Sequence, residues 1–122
     1  NLHFLGLKPH DQLPGYYQHC DLGIMPFADN DAAKAINPIK TLEYLACGLP
    51  VLSTPVPDVI KYYPNVVRTE KPAAWPQAAE ELLSSNSTDA RRERVEFAKN
   101  RDWSSLISAI ERRLHEFEAQ LP

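Results

Sequence analysis

Glycine is scarce, with four in 122 residues, and none of them builds a phosphate loop. Neither G-x-G-x-x-G nor the P-loop pattern occurs. The glycines of a nucleophile elbow are missing around Ser53, so a serine-based triad has no support. Cysteine is limited to Cys20 and Cys47, in apolar surroundings and without ligand-like spacing to the four histidines. That argues against metal binding and for two thiols packed as small hydrophobes in a reduced, cytoplasmic setting. No apolar run approaches the ~20 residues of a spanning helix, and no signal-peptide pattern opens the chain. A basic surplus is absent too: the net charge of -3 gives no reason to expect a nucleic-acid or acidic-membrane partner. Arg91, Arg92 and Arg94, like Arg112 and Arg113, are interleaved with acids and read as solvated helix faces.

What is present suffices for one core. Hydrophobic residues make up 43% and aromatics 9% of a chain of one domain's length. It begins at Asn1, directly before the apolar "LHFL", as a piece excised from something longer would. "LHFL" (2–5) and "LGIMPF" (22–27) read as strands, and between them Leu13, Tyr16, Tyr17 and Cys20 recur at helical spacing. Asp11 is the expected N-cap of that helix, with Pro14 in its first turn. The polar stretch "ADNDAAKA" (28–35) leads to a second helix, followed by strands "PVLST" (50–54) and "VVRT" (66–69) and a helical run "PAAWPQAAEELLSS" (72–85). Strands separated by helix-length segments predict a parallel sheet covered on both faces. From Thr88 onward no strand signal remains. Trp103, Leu106, Ile107, Ile110, Leu114 and Phe117 trace one helical stripe with Asp102 as its cap. That stripe is expected to pack on the sheet, the sharper alternative being a tail helix that reaches a neighbouring domain.

The informative stretch is "INPIKTLEYLACGLPVLSTP" (36–55). Asn37 suits an N-cap and Pro38 a first helical position, and Gly48 followed by Pro50 is a helix stop. On a 3.6-residue period Ile39, Leu42, Leu45 and Ala46 share a core face, while Lys40, Glu43 and Cys47 lie on another. In an open parallel sheet the start of such a helix follows the carboxyl end of a strand, where these folds bind ligands. A helix N-terminus and Lys40 would favour a phosphate there, and Glu43 could accept from sugar hydroxyls. The plain alternative is an i, i+3 ion pair worth about 0.2–0.5 kcal/mol. The residues by themselves leave both open.

"NPIKTLEYLACGLPVLSTPVPDV" resembles the donor-binding segment of bacterial glycosyltransferases with two Rossmann-like domains, the GT-B, family-4-like group called glycosyl transferases group 1. "NLHFLGLKPHDQLPGYYQHCDLGIMPF" is similar to the stretch that precedes it in that family, and "RDWSSLISAIERRL" to its closing helix. The resemblance implies an α/β fold, the partial C-terminal half of a GT-B fold. Residues 1–87 would be a partial Rossmann-like unit that binds a nucleotide sugar, and 88–122 a helical tail of the same domain. It implies that Glu43, the second glutamate of an E-x7-E motif, binds the ribose hydroxyls. Lys40, Asn37 and Pro38 would lie beside the diphosphate and donor sugar, with Lys40 the catalytic group. Gly6, Leu7 and Lys8 would meet the base, and Phe27 the sugar end. No metal or cofactor is implied beyond the nucleoside diphosphate sugar itself.

Two departures bear on activity. Ala35 stands where the motif's first glutamate belongs, with Asp29, Asp31 and Asn37 as candidate substitutes. The family's N-terminal acceptor domain and first β-α-β have no counterpart here, so the full-length parent is expected to transfer a hexose to a glycan or lipid-linked acceptor in polysaccharide assembly, from a cytoplasmic position or the inner membrane face. This chain alone is expected to be inactive, because both substrates must be held together to react. An unpaired sheet edge and an exposed apolar patch would favour a homodimer of the truncated chain. The alternatives are a nucleotide-sugar epimerase on the same scaffold and a non-enzymatic α/β interaction module.

Overall fold

The computed structural model of the chain describes residues 1–63 and 66–120, so the last two positions of the expected 88–122 tail lie outside the described residues. Three short parallel strands, β1 (Gly23–Met25), β2 (Val51–Ser53) and β3 (Val67–Thr69), pair in the order β1-β2-β3. Gly23 stands opposite Val51, and Val51 opposite Val67. The middle strand is buried along its length, as expected of a β-branched, apolar run with a neighbour on each side. Around it gather Met25, Leu45, Val56, Val59, Tyr63, Val67 and Ala98 as the core.

Helices connect and flank the strands. A 3₁₀ turn at His10–Gln12 leads into α1 (Leu13–Tyr17), which precedes β1. α2 (Asp31–Lys34) and α3 (Lys40–Ala46) lie between β1 and β2, and α4 (Pro57–Tyr62) between β2 and β3. After β3 come α5 (Trp75–Ser84), α6 (Thr88–Lys99) and α7 (Trp103–Glu118). Their starts are specified by side chains. Asn30 accepts from the Ala33 amide, Ser87 from Ala90 and Asp102 from Ser105, each satisfying an otherwise orphan donor. Asp102 is therefore the cap expected of it. The strands expected within 22–27, 50–54 and 66–69 and the helix within 72–85 are present.

Gly48 fixes the turn from α3 into β2. Its φ is +75°, a conformation that costs a residue with a Cβ about 1–2 kcal/mol. Helix α6 then packs across the end of α3. Arg91 donates through Nη2 to the Cys47 carbonyl at 3.3 Å, and Arg94 through Nε to the Gly48 carbonyl at 3.0 Å. A further bond from Arg94 to Asn86 holds its guanidinium in place. These arginines were expected on a solvated face. Arg91 is exposed as expected and Arg94 half-buried, and both also satisfy the carbonyls a helix leaves open at its C-terminus, where positive charge is favoured. Arg92 keeps to the surface with Asp89.

Several other expectations are corrected. Residues 2–5 form no strand, and Leu2, Phe4, Leu5 and Leu7 are exposed. The sheet runs β1-β2-β3, and residues 2–5 pair with neither of its edges. Asp11 does not cap α1, because it sits inside the 3₁₀ turn and Gln12 holds the cap position without a side-chain bond. Nor does Asn37 cap α3. The helix begins at Lys40, with the Pro38 carbonyl accepting from the Thr41 amide. Of its expected core face Leu45 is buried and Leu42 packs against the core, joined by Thr41 and Pro38, while Ile39 and Ala46 are exposed. Cys20 is exposed rather than packed. The stripe on α7 is not covered by the sheet: Trp103, Leu106, Ile107, Ile110, Leu114 and Phe117 are all exposed.

Gly48→Ala is expected to lower stability to urea by about 1–2 kcal/mol from backbone strain, and by more because the new Cβ would lie 2.5 Å from the Arg91 Cγ. In an Arg91→Ala background only the backbone part remains. An equal cost in both backgrounds would show that the Arg91 contact contributes nothing.

Candidate functional site at the start of α3

The site is built through a stack of rings. Gly23, at the start of β1, has no side chain where a Cβ would come within 2.6 Å of the Tyr44 ring. Tyr44 of α3 fills that space, and Tyr17 at the end of α1 packs edge-on against it, centroids 5.0 Å apart. Tyr17 is thereby aimed at the first turn of α3. Its hydroxyl donates to Glu43 Oε2 at 3.1 Å and accepts from Lys40 Nζ at 3.1 Å. Lys40 Nζ also donates to the same Oε2 at 2.7 Å. His10, from the turn before α1, reaches the other oxygen, Oε1, at 3.5 Å.

Electrostatics follow from this geometry. Burial opposes the charge on Glu43, yet the hydrogen bonds from Lys40 and Tyr17 outweigh it and hold the carboxyl below its ordinary value. The bonds to Glu43 and Tyr17 raise Lys40 above its own ordinary value, against a smaller opposing effect of burial. Glu43 is a fixed, ionised acceptor. A recess of about 180 Å³ adjoins it, walled by Leu13, Pro14, Ala46 and Cys47 and rimmed by His10, Tyr17 and Glu43. That is below the ~300–1,000 Å³ of a complete small-molecule site and suits one part of a ligand.

A larger cleft of about 580 Å³ opens where all three strands end. Phe27 and Asn30 after β1, Thr54 after β2 and Lys71 after β3 line it, with Lys34 of α2. Thr54 Oγ1 donates to the Phe27 carbonyl at 3.0 Å and ties the first two loops together. Lys34 is paired with Asp31.

The expected site residues are thus distributed unevenly. Lys40 and Glu43 come together, and Phe27 lines the larger cleft. Pro38 is buried and serves the helix start, while Asn37 is exposed. Gly6, with φ +69°, and Leu7 are exposed, and Lys8 Nζ lies over the Tyr16 ring at 5.7 Å. Tyr17 and His10 were not foreseen as site residues. Tyr17 was visible in the sequence only as part of an apolar helical stripe, and nothing local marks a contact made across such a span of chain. Among the described residues no group of three His, Cys, Asp or Glu is placed to hold a metal ion, and no helix is long and apolar enough to cross a membrane.

Comparison with known proteins decides the family. Residues 1–85, well over half the chain, match the family described as glycosyl transferases group 1. The chain belongs to that family. It is also 30% identical over 115 residues to a Bacillus subtilis (strain 168) protein described as "Putative teichuronic acid biosynthesis glycosyltransferase TuaH". That match takes in 90% of this chain and 29% of the relative's length. No solved structure matched. In this group 1 chain the three-stranded parallel sheet flanked by helices is a partial Rossmann-like, GT-B-type fold.

The Lys40–Glu43 pair is expected to give stability a defined pH window. Glu43, lowered on folding, stabilises above its ordinary value of 4.5, and this is lost as pH falls through the lower folded value. Lys40, raised on folding, stabilises below its ordinary value of 10.5, and this is lost as pH climbs through the higher folded value. Both side chains are partly solvated, at 44% and 19% exposure, so Glu43→Gln should cost no more than about 1 kcal/mol at neutral pH. Urea titrations in acid, neutral and alkaline buffer check this. An unchanged difference between Glu43→Gln and the native chain as pH drops below the carboxylate range would contradict it.

Proposed function

We propose that this chain is the donor-binding part of a glycosyltransferase that moves a hexose from a nucleoside diphosphate sugar to a glycan or lipid-linked acceptor. The observation that carries the proposal is the pairing of an ionised, immobilised carboxylate with an ammonium at the start of α3. A nucleoside diphosphate presents a diol and an anion a short distance apart, and Glu43 and Lys40 are complementary to that pair. The recess beside Glu43 has room for a ribose or a base edge, and the wider cleft with Phe27, Asn30 and Lys71 has room for the sugar. Lys40 is the catalytic group in this reading, stabilising the charge that develops on the departing diphosphate. With seven residues, α3 adds little field of its own, so the cation has to come from a side chain.

The printed name of the Bacillus subtilis relative refers to teichuronic acid biosynthesis, which supports polysaccharide assembly as the setting. Cys20 and Cys47 are both free, which suits a reducing, cytoplasmic location. Ala35 leaves no carboxylate at the motif's first position, and Asp29, which lines the cleft, is a candidate substitute. The acceptor is held by a domain other than this one, and the chain by itself does not transfer sugar.

Calorimetric titration with UDP and with GDP tests the proposal. One of the two is expected to saturate the chain, with affinity falling roughly tenfold or more in Glu43→Ala and in Lys40→Ala as charge-assisted hydrogen bonds are lost. Saturation that neither substitution weakens would remove these residues from the donor site.

A further inference from the structure

Glu43 has an acceptor problem. A carboxylate oxygen offers two lone pairs, and Oε2 already receives two donors, Lys40 at 2.7 Å and Tyr17 at 3.1 Å. Among the described residues Oε1 meets His10 alone, at 3.5 Å, from a side chain that is 84% exposed. A vicinal diol brings two hydroxyl donors and is best received across both oxygens of one carboxylate. In the geometry of the unliganded chain the second hydroxyl finds Oε2 full.

One of the two donors on Oε2 therefore has to leave, and the surroundings say which. Tyr17 is half-buried and clamped edge-on against Tyr44, whose own ring is seated over Gly23. Its hydroxyl cannot withdraw without disturbing α1, α3 and β1 together. Lys40 is 44% exposed and sits on a flexible four-carbon stem with rotatable donors. Once it leaves, its charge needs a new partner. A nucleoside supplies none, whereas a nucleoside diphosphate supplies one.

Resting on the nucleotide reading above, we infer that the Lys40–Glu43 ion pair is a latch that the ligand exchanges. The diol takes the place of the ammonium on Oε2, and the released ammonium moves to the diphosphate, while Tyr17 stays as the positioning residue that keeps the carboxylate aimed. Both halves of the ligand are needed for the exchange to be favourable. The latch is thus a specificity device: it discriminates against nucleosides, which would open it without replacing its charge partner.

The test compares uridine with UDP and guanosine with GDP on the native chain and on Lys40→Met, with Lys40→Gln as a second variant and thermal unfolding as the check that both are folded. Removing the ammonium empties one lobe of Oε2, so the nucleoside is expected to bind roughly two- to fivefold tighter, the range of a partly exposed ion pair. The matching diphosphate is expected to bind roughly tenfold weaker or worse. Opposite shifts support the latch. A nucleoside that binds equally or more weakly in both variants, while the diphosphate still binds the native chain, overturns the latch and leaves the nucleotide site standing. Failure of UDP and GDP alike to bind the native chain overturns both.

Discussion

Burial of the central strand is the constraint from which the rest follows. Val51, Leu52 and Ser53 are paired on both sides and shut off from water, so the chain has to enter β2 at one place and in one register. A one-residue slip in a strand would turn its side chains to the opposite face. Gly48 makes that entry with a left-handed turn, and the two arginines of α6 hold the carbonyls around it. With its end anchored and Leu45 fully buried, α3 has one orientation. Its first turn, carrying Lys40 and Glu43, then falls where β1 ends. The candidate site is positioned from the far end of its helix, by packing rather than by a cap at its own start.

Lys40 and Glu43 stand three residues apart and so share one face of α3, and Tyr17 completes the cluster from α1. Three polar groups then share their hydrogen bonds, and a carboxylate that burial alone would push toward protonation stays charged. The ring stack beneath it, from Gly23 through Tyr44 to Tyr17, gives the cluster a rigid floor. A site that has to recognise two chemically different parts of a ligand gains from such rigidity on one side and a mobile lysine on the other.

Legibility in the sequence followed the range of the interaction. Strands β1, β2 and β3, the stop at Gly48 and the Asp102 cap are local features, and alternating apolar runs and turn residues signal them directly. Helices α2 and α4 are short, at four and six residues, too brief for a period to declare itself in "DAAK" or "PDVIKY". The stretch 2–5 has strand composition but pairs with no strand, and composition does not report pairing. Arg91 and Arg94 read as surface charges because their partners are carbonyls of another helix. At the site, Lys40 and Glu43 were visible through their spacing and their family resemblance. Tyr17 and His10 were not, because what recruits them is the packing of α1 on α3. On α7 the amphipathic stripe was plain in the sequence, but which surface would cover it was not.

A crystal structure of the chain with whichever of UDP or GDP it binds tests the latch most directly. The ribose hydroxyls are expected on the two oxygens of Glu43, the Lys40 ammonium swung from Glu43 to the diphosphate, and Tyr17 unmoved on Oε2. A nucleotide seated away from α3, or one bound with the Lys40–Glu43 pair still closed, would contradict it.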